Sequence, residues 1–310
     1  MNPVRALLLW ASTNPWMSER FPRYGFVRRA VRRFMPGEDV KDALAAAAAF
    51  QQRRISTILT LLGENVTDDA AAREVIRHYE GVLDEVRRAG LDAEISVKLT
   101  HLGLDLGPEK ASDNLLALVE AAARRGNRVW VDMEGSAYTQ ATIDAYRRAR
   151  SAHTNIGLCL QAYLRRTDRD LEDLLPLGPS IRLTKGAYAE PPSIAYAGKP
   201  EVDASFFRLA QRMLEPDAAR GGGRMAFATH DRALIGRIRE AAAARRAPQE
   251  AYEFEMLYGI EAAEQDRLAA AGERVRVLIS YGSEWFPWYM RRLAERPANL
   301  WFVTRNLFRR

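Results

Sequence analysis

Charged side chains stand inside apolar runs at several places in this 310-residue chain. Lys98 interrupts Ile95-Ser-Val-Lys-Leu, Asp132 and Glu134 close Val129-Trp-Val-Asp-Met-Glu, and Arg182 and Lys185 lie in Ile181-Arg-Leu-Thr-Lys. Other runs carry or end on Thr100 and His101, Gln161 and Tyr163, Tyr188, Thr229 to Asp231, and Glu253 with Glu255. Lysine, aspartate and arginine are rarely buried unless paired with one another or bound to a ligand. One such residue alone reads as part of a structural ion-pair layer, whereas the same feature on several runs reads as a site. Near the end, Arg291, Arg292 and Glu295 occur in Tyr289-Met-Arg-Arg-Leu-Ala-Glu. Arg292 and Glu295 are three apart and meet on one helix face, either as a solvated pair or, with Arg291, as forked donors for a carboxylate. The lysines permit a different chemistry, an aldolase that forms a Schiff base on Lys98 or Lys185.

From residue 55 onward, short β-branched or apolar runs alternate with longer amphipathic stretches, the pattern of parallel strands with helical crossovers. Eight strands are expected: Ser56 to Leu62, Glu94 to Leu99, Arg128 to Met133, Asn155 to Leu160, Ser180 to Thr184, Met225 to Thr229, Tyr252 to Met256 and Val275 to Ile279. Helical patterns between them include Ala71 to Ala89, Asp113 to Arg125, Ala137 to Arg150, Ser205 to Leu214, Ala233 to Arg245 and Ile260 to Ala271. Eight such units close most simply into an α/β (β/α)₈ TIM barrel, which delivers chemistry at the C-terminal ends of its strands, where the polar residues above fall. Gly221 to Gly223 is the one glycine cluster and precedes a strand instead of opening a helix, so it reads as a turn and not as a phosphate loop. One domain is expected over 1–310, with 1–54 an N-terminal helical arm and 55–310 the barrel. The alanine run Ala43 to Ala49 favours helix. The arm's aromatic residues, Trp10, Trp16, Phe21, Tyr24, Phe26 and Phe34, are expected to pack on the main body.

The 47% hydrophobic and 28% charged content belongs to a globular protein and excludes disordered and fibrous classes. The net charge of +6 comes from interspersed signs, so no nucleic-acid partner is expected. Basic residues concentrate between Arg20 and Arg33 and at Arg309 and Arg310, edges that are solvated or touch a membrane surface. A lone cysteine, Cys159, allows no internal disulfide and no cysteine metal cluster, and no metal is expected. The apolar stretch Ala6 to Trp10 is too short to span a bilayer. The expected compartment is the cytoplasm, with a peripheral contact at the inner face of the plasma membrane.

Seven segments resemble proline dehydrogenases, both the free-standing bacterial enzymes and the catalytic domain of bifunctional proline utilisation flavoproteins. They are Ile95-Ser-Val-Lys-Leu, Val131-Asp-Met-Glu134, Gln161-Ala-Tyr, Ile181-Arg-Leu-Thr-Lys-Gly-Ala-Tyr188, Phe227-Ala-Thr-His230, Tyr252-Glu-Phe-Glu-Met-Leu257 and Tyr289-Met-Arg-Arg-Leu-Ala-Glu295, in family order over roughly residues 55 to 303. The resemblance implies a distorted barrel with its last helix over the mouth, and FAD-dependent oxidation of L-proline to 1-pyrroline-5-carboxylate by hydride transfer from C5 to flavin N5. It also implies electrons passed to a quinone, and a separate pyrroline-5-carboxylate dehydrogenase as a partner. Arg291, Arg292 and Lys98 resemble the residues that hold the proline carboxylate, and Asp132 the aspartate beneath the substrate that organises Lys98. Tyr188 and Leu257 resemble walls of the ring pocket. Arg182 is similar to the arginine beside the flavin N5. The backbones of Met133, Lys185, Gly186 and Ala187, with the side chains of Gln161, Thr229 and His230, match positions that hold the flavin, and Glu295 resembles the partner of the second arginine. The chain departs from the pattern at Leu278, where many bacterial members carry a tyrosine on the proline ring, which bears on selectivity between proline and 4-hydroxyproline.

If Arg292 grips a carboxylate through its fork, Arg292→Lys keeps the charge and loses the geometry. The variant is expected to retain FAD while its KM for proline rises sharply; steady-state kinetics with wild-type values would refute the assignment.

Overall fold

The computed structural model describes residues 10, 14–20, 31–218, 222–286 and 289–290. Eight parallel strands close into a barrel in chain order: β1 (Ser56–Leu61), β2 (Ala93–Lys98), β3 (Val129–Asp132), β4 (Ile156–Gln161), β5 (Ser180–Thr184), β6 (Met225–Ala228), β7 (Tyr252–Leu257) and β8 (Val275–Tyr281). The described helices are α1 (Pro15–Arg20), α2 (Val40–Gln51), α3 (Asp69–Arg88), α4 (Pro108–Ala123), α5 (Thr139–Ala152), α6 (Thr167–Leu174), α7 (Lys199–Met213), α8 (Arg232–Arg245) and α9 (Ala262–Ala270). Helices α3 to α9 follow β1 to β7 one for one, and every expected strand is present to within two residues at each end. Helix α6 lies beyond the helical patterns legible in the sequence, because Thr-Asp-Arg-Asp-Leu-Glu-Asp-Leu is short and mostly charged. Gly222 takes φ +74° in the turn before β6, as the glycine cluster implied, while Gly221 lies outside the described residues.

Local chemistry explains the elements. In α3 the apolar residues Val75, Tyr79, Val82, Leu83 and Val86 recur at three- and four-residue spacing and are buried against the barrel. The Asp68 side chain accepts the Ala71 N–H at 2.8 Å, and Arg87 and Arg88 occupy the last turn, where they complement the helix dipole. Tyr79 ties the tops of two strands: its hydroxyl accepts the Leu61 N–H at 2.9 Å and donates to the Ser96 carbonyl at 2.8 Å.

Odd-numbered residues of β2, β3 and β8 face the helices and form the main apolar core, with Ile95, Val97, Val129, Val131, Val277 and Ile279 all buried. Helix α2 covers the wall between β1 and β8, burying Ala43, Ala47 and Phe50. Phe34 is buried and meets the Tyr289 ring at 5.8 Å. Trp10 and Trp16, by contrast, are 56% and 59% exposed, so the expected packing of the aromatic arm fails for these two. Trp16 instead lies under Arg20 of its own helix, 5.4 Å from the ring centre. Phe21, Tyr24 and Phe26 lie outside the described residues.

A TIM barrel interior is usually filled by layers of branched apolar side chains. Here the apolar part is one thin cluster of Ile58, Trp130 and Ala226, with Leu278 packed on it. Below it, towards the N-terminal ends, lies an ion network. Arg276 Nε meets Glu253 Oε1 at 3.0 Å, Arg224 Nε meets the same oxygen at 3.3 Å, and Arg224 also pairs with Glu94. Trp130 joins the two regions: its Nε1–H donates to Glu94 Oε2 at 2.7 Å, and the guanidinium carbons of Arg182 and Arg224 lie 4.7 and 5.4 Å from its ring centre. The indole fits because β4 has glycine beside it, for a Cβ on Gly157 would sit 2.4 Å from the Trp130 ring.

Gly157→Ala is therefore expected to destabilise the fold by about 1–3 kcal/mol, as overpacking of a filled core does. The check is a thermal melt of the two proteins side by side, and an unchanged midpoint would mean the indole has room to move.

Candidate active site

The C-terminal ends of β2, β3, β5 and β7 bring one cation and two carboxylates together. Arg182, 2% exposed, donates from Nη1 to Asp132 Oδ1 at 2.7 Å and to Ser96 Oγ at 3.1 Å. Its Nε lies 2.5 Å from Glu255 Oε2. Asp132 reaches the mouth, while Glu255 is enclosed. The close Arg182–Glu255 ion pair is not a well-aligned hydrogen bond, and Arg182 Nε, Arg182 Nη2 and Glu255 Oε1 are all buried without a hydrogen-bond partner among the described residues. Burial pushes the Glu255 carboxyl up to about 7 against the pull of Arg182.

Lys98 does not pair with Asp132, although the two are register neighbours on β2 and β3. Its ammonium instead meets Glu64 Oε2 at 2.6 Å, from the loop after β1, so the expectation that Asp132 organises Lys98 is corrected. The more buried guanidinium of Arg182 takes Asp132, and an acidic loop residue takes the lysine. Glu64 was legible only as a carboxylate just past a strand end. Beside it, Glu134 accepts from the Thr100 backbone N–H at 3.1 Å and from its hydroxyl at 2.7 Å, and burial raises its carboxyl above the usual range.

A second group of charges lines the mouth over β5 and β6. Lys185 Nζ meets Asp203 Oδ1 at 2.5 Å and Asp231 Oδ2 at 3.0 Å, while Lys199 meets Asp231 at 3.1 Å and also pairs with Asp203. Asp231 additionally caps α8, accepting the Ala233 and Leu234 N–H groups at 3.2 and 3.4 Å. Burial alone would raise both carboxyls, but the two ammonium groups hold Asp203 and Asp231 below the usual range. Asp203 and Lys199 lie on α7, far from the strand motifs in sequence, which is why the sequence did not single them out.

Most of the remaining expected positions are among the described residues. Gln161 donates from Nε2 to the Met133 carbonyl at 3.2 Å, and its Oε1 is buried without a partner among the described residues. Gly186 takes φ +105°, and a Cβ there would lie 2.1 Å from the Tyr163 ring, so the Lys185-Gly-Ala187 loop can lie flat on that ring only as glycine. His230 Nε2 accepts the Leu257 N–H at 2.9 Å, and Thr229 Oγ1 accepts the Asp231 N–H at 3.2 Å. Leu257 and Leu278 are paired in register on β7 and β8, with Leu278 on the Trp130 cluster. Tyr188 is half-buried beyond the loop, with a ring carbon 4.0 Å from where a Cβ on Gly135 would lie. Arg291, Arg292 and Glu295 lie outside the described residues. Among the described residues no group of His, Cys, Asp or Glu is arranged to hold a metal ion, and no helix is long and apolar enough to cross a membrane.

The proline dehydrogenase family model matches residues 43–305. The chain is similar to proline dehydrogenase 1 of Bacillus subtilis subsp. natto, 33% identical over 307 residues that cover 99% of this chain and 100% of that protein. It is similar to the proline dehydrogenase of Deinococcus radiodurans, 32% identical over 282 residues and 89% of each chain. Among solved structures it resembles proline utilization A from Bdellovibrio bacteriovorus inactivated by N-propargylglycine, with a TM-score of 0.81 over 95% of this chain. At 21% identity that likeness concerns the fold, and this chain spans 37% of that one.

The lysine–aspartate group sets an acid limit. Carboxyls held below their unfolded values stabilise the fold in full above about pH 4, and the contribution is lost as pH falls through the depressed values. The thermal midpoint is expected to drop as pH falls from about 4 to about 2. Asp231→Asn, which keeps a capping oxygen and removes the titration, should drop less over the same interval; an identical drop would place the acid sensitivity elsewhere.

Proposed function

The chain belongs to the proline dehydrogenase family, and from that membership we propose that it oxidises L-proline to 1-pyrroline-5-carboxylate with FAD held at the C-terminal mouth of the barrel, passing the electrons on to a quinone. The observation that carries the cofactor reading is the buried Arg182, whose Nη2 points to no protein partner among the described residues while Asp132 and Glu255 hold its other nitrogens. A buried donor left unmet is costly, and a ligand oxygen or nitrogen at the strand ends would meet it. Gln161 Oε1 is a second unmet group on the same side, next to the Met133 carbonyl. The donor set therefore fits a planar heteroaromatic ring rich in hydrogen-bonding atoms, and the flat glycine loop at Gly186 leaves backbone free to approach it.

FAD, when bound, supplies the acceptor for the hydride that proline C5 gives up. The chain's own residues place and shield the reactants. Arg182 fixes a positive charge under the mouth where negative charge would develop, preorganised by two carboxylates so that nothing need reorient during the reaction. Lys98, with Arg291 and Arg292, supplies cations to the proline carboxylate, while Tyr188, Leu257 and Leu278 exclude water from the ring. Met133, Gln161, Lys185, Gly186, Ala187, Thr229 and His230 would hold the isoalloxazine or the phosphate and adenosine end, and Glu295 would pair with Arg292. One domain suffices for this chemistry. A separate dehydrogenase would consume the pyrroline product, and a quinone acceptor would bring the enzyme to a membrane surface.

The Schiff-base alternative finds no support in the mouth. Lys98 and Lys185 are both ion-paired with carboxylates, whereas a nucleophilic lysine is prepared by an apolar pocket or a second cation.

The purified protein is expected to show the flavin absorption bands and to lose them when proline is added without oxygen. A colourless protein that cannot be reconstituted with FAD would return the aldolase reading to the front.

A further inference from the structure

The triad under the mouth has one more carboxylate than it needs. At the foot of the barrel Glu94 and Glu253 are well supplied with cations: Arg224 and Arg276 face both, Arg128 lies 3.7 Å from Glu94 and Arg274 3.8 Å from Glu253, while Asp92 takes a share of Arg276 at 3.3 Å. Although burial would raise it, Glu94 is held down to about 2 by Arg276 and Arg224, so the carboxylate of this layer stays ionised. At the top a single guanidinium, Arg182, faces both Asp132 and Glu255. The groups that face Glu255 come from every neighbouring strand. Strand β5 gives Arg182 itself, β3 gives Asp132 behind it, β7 gives Glu253 two residues earlier, and β6 and β8 lead from Arg224 and Arg276, which the foot already uses. From β4 comes Cys159, whose thiol burial pushes up to about 11 and so keeps neutral. Strand β2 adds the hydroxyl of Ser96 and β1 the apolar Ile58.

A buried excess of negative charge is relieved most simply by a proton on the carboxylate most removed from water. Glu255 is that group, at 2% exposed, and its Oε1 is the oxygen without a partner among the described residues. We propose that Glu255 is a proton-exchanging positioning residue: it takes a proton from solvent on Oε1 when negative charge arrives at the mouth, leaving Arg182 to face that charge with only Asp132 as counter-ion, and returns the proton when the charge leaves. The inference rests on the reading that a flavin occupies this mouth. Reduction delivers two electrons and one proton together as the hydride, and the second proton, drawn from water, goes to Glu255. Two protons are then bound for every two electrons above the pH at which Glu255 ionises in the oxidised protein. Below that pH Glu255 already carries its proton and only one is bound.

The experiment is a spectroelectrochemical titration of the holoenzyme and of a Glu255→Gln holoenzyme across neutral pH. Each proton taken up with a two-electron couple adds about 30 mV per pH unit to the slope of midpoint against pH. The wild-type slope is expected to steepen from one proton to two as pH rises past about 7, the value that burial gives Glu255. The variant, whose carboxamide takes no proton, should keep the one-proton slope throughout. Protonation of the flavin ring itself would bend the wild-type line the other way, steep at low pH and shallow at high pH. That bend, or a variant that steepens as the wild type does, overturns the proposal. If the variant does not retain flavin, reduction-induced infrared difference spectra of the wild type decide: above neutral pH a protonated-carboxyl band should appear on reduction and shift with ¹³C-glutamate labelling, and its absence overturns the proposal. A protein that binds no flavin fails the preceding reading, whereas a flavoprotein with an unbent line fails this one alone.

Discussion

A guanidinium closed inside a barrel must be answered by carboxylates, and most of the interior is arranged to answer Arg182. Isolated buried charge is so costly that a group would sooner change protonation than stay unpaired. Asp132 and Glu255 supply the answering charge, Ser96 takes one more N–H, and the Trp130 face lies beside the guanidinium. Trp130 in turn needs Gly157 to make room and Glu94 to accept its N–H. Glu94 needs Arg224, and Arg224 needs Glu253, which Arg276 completes. The chain of dependence runs the height of the barrel, from the mouth to the N-terminal rim, through charged and aromatic groups where branched apolar layers are the norm.

Replacing such a network by well-packed apolar residues would often cost nothing in stability, while deleting one partner is expensive. Such a network fits a positioning role better than a stabilising one: the foot holds Trp130, and Trp130 lies against Arg182. Positioning is distributed over several strands, with Glu64 entering from a loop and Lys199 and Asp203 from α7.

Strands were legible because each is a short apolar run between polar segments, and the barrel follows from their number and spacing. The charged positions were legible because lysine or arginine in such a run is anomalous wherever it occurs. What the sequence could not supply was who pairs with whom. Asp132 and Lys98 sit side by side in register and still choose different partners, because burial ranks Arg182 above Lys98 and because Glu64 enters from a loop. Glu253 and Glu255 look alike two residues apart on one strand, yet one belongs to the foot and the other to the mouth. Asp203 and Lys199 gather with Lys185 only once α7 is folded over β5. Trp10 and Trp16 stand exposed against expectation, since aromatic content alone does not say whether a segment has a surface to lie on.

Helix α2 occupies the wall between β1 and β8, so the segment made early in synthesis rests against the strand made last. Its buried face, Ala43, Ala47 and Phe50, has no complete seat until β8 has joined β1. The ring thus has a seam that only the finished chain can seal, and contacts so distant in sequence are slow to form because loop closure must precede them. During synthesis the apolar face of α2 would wait for the whole barrel to be made before its seat is complete.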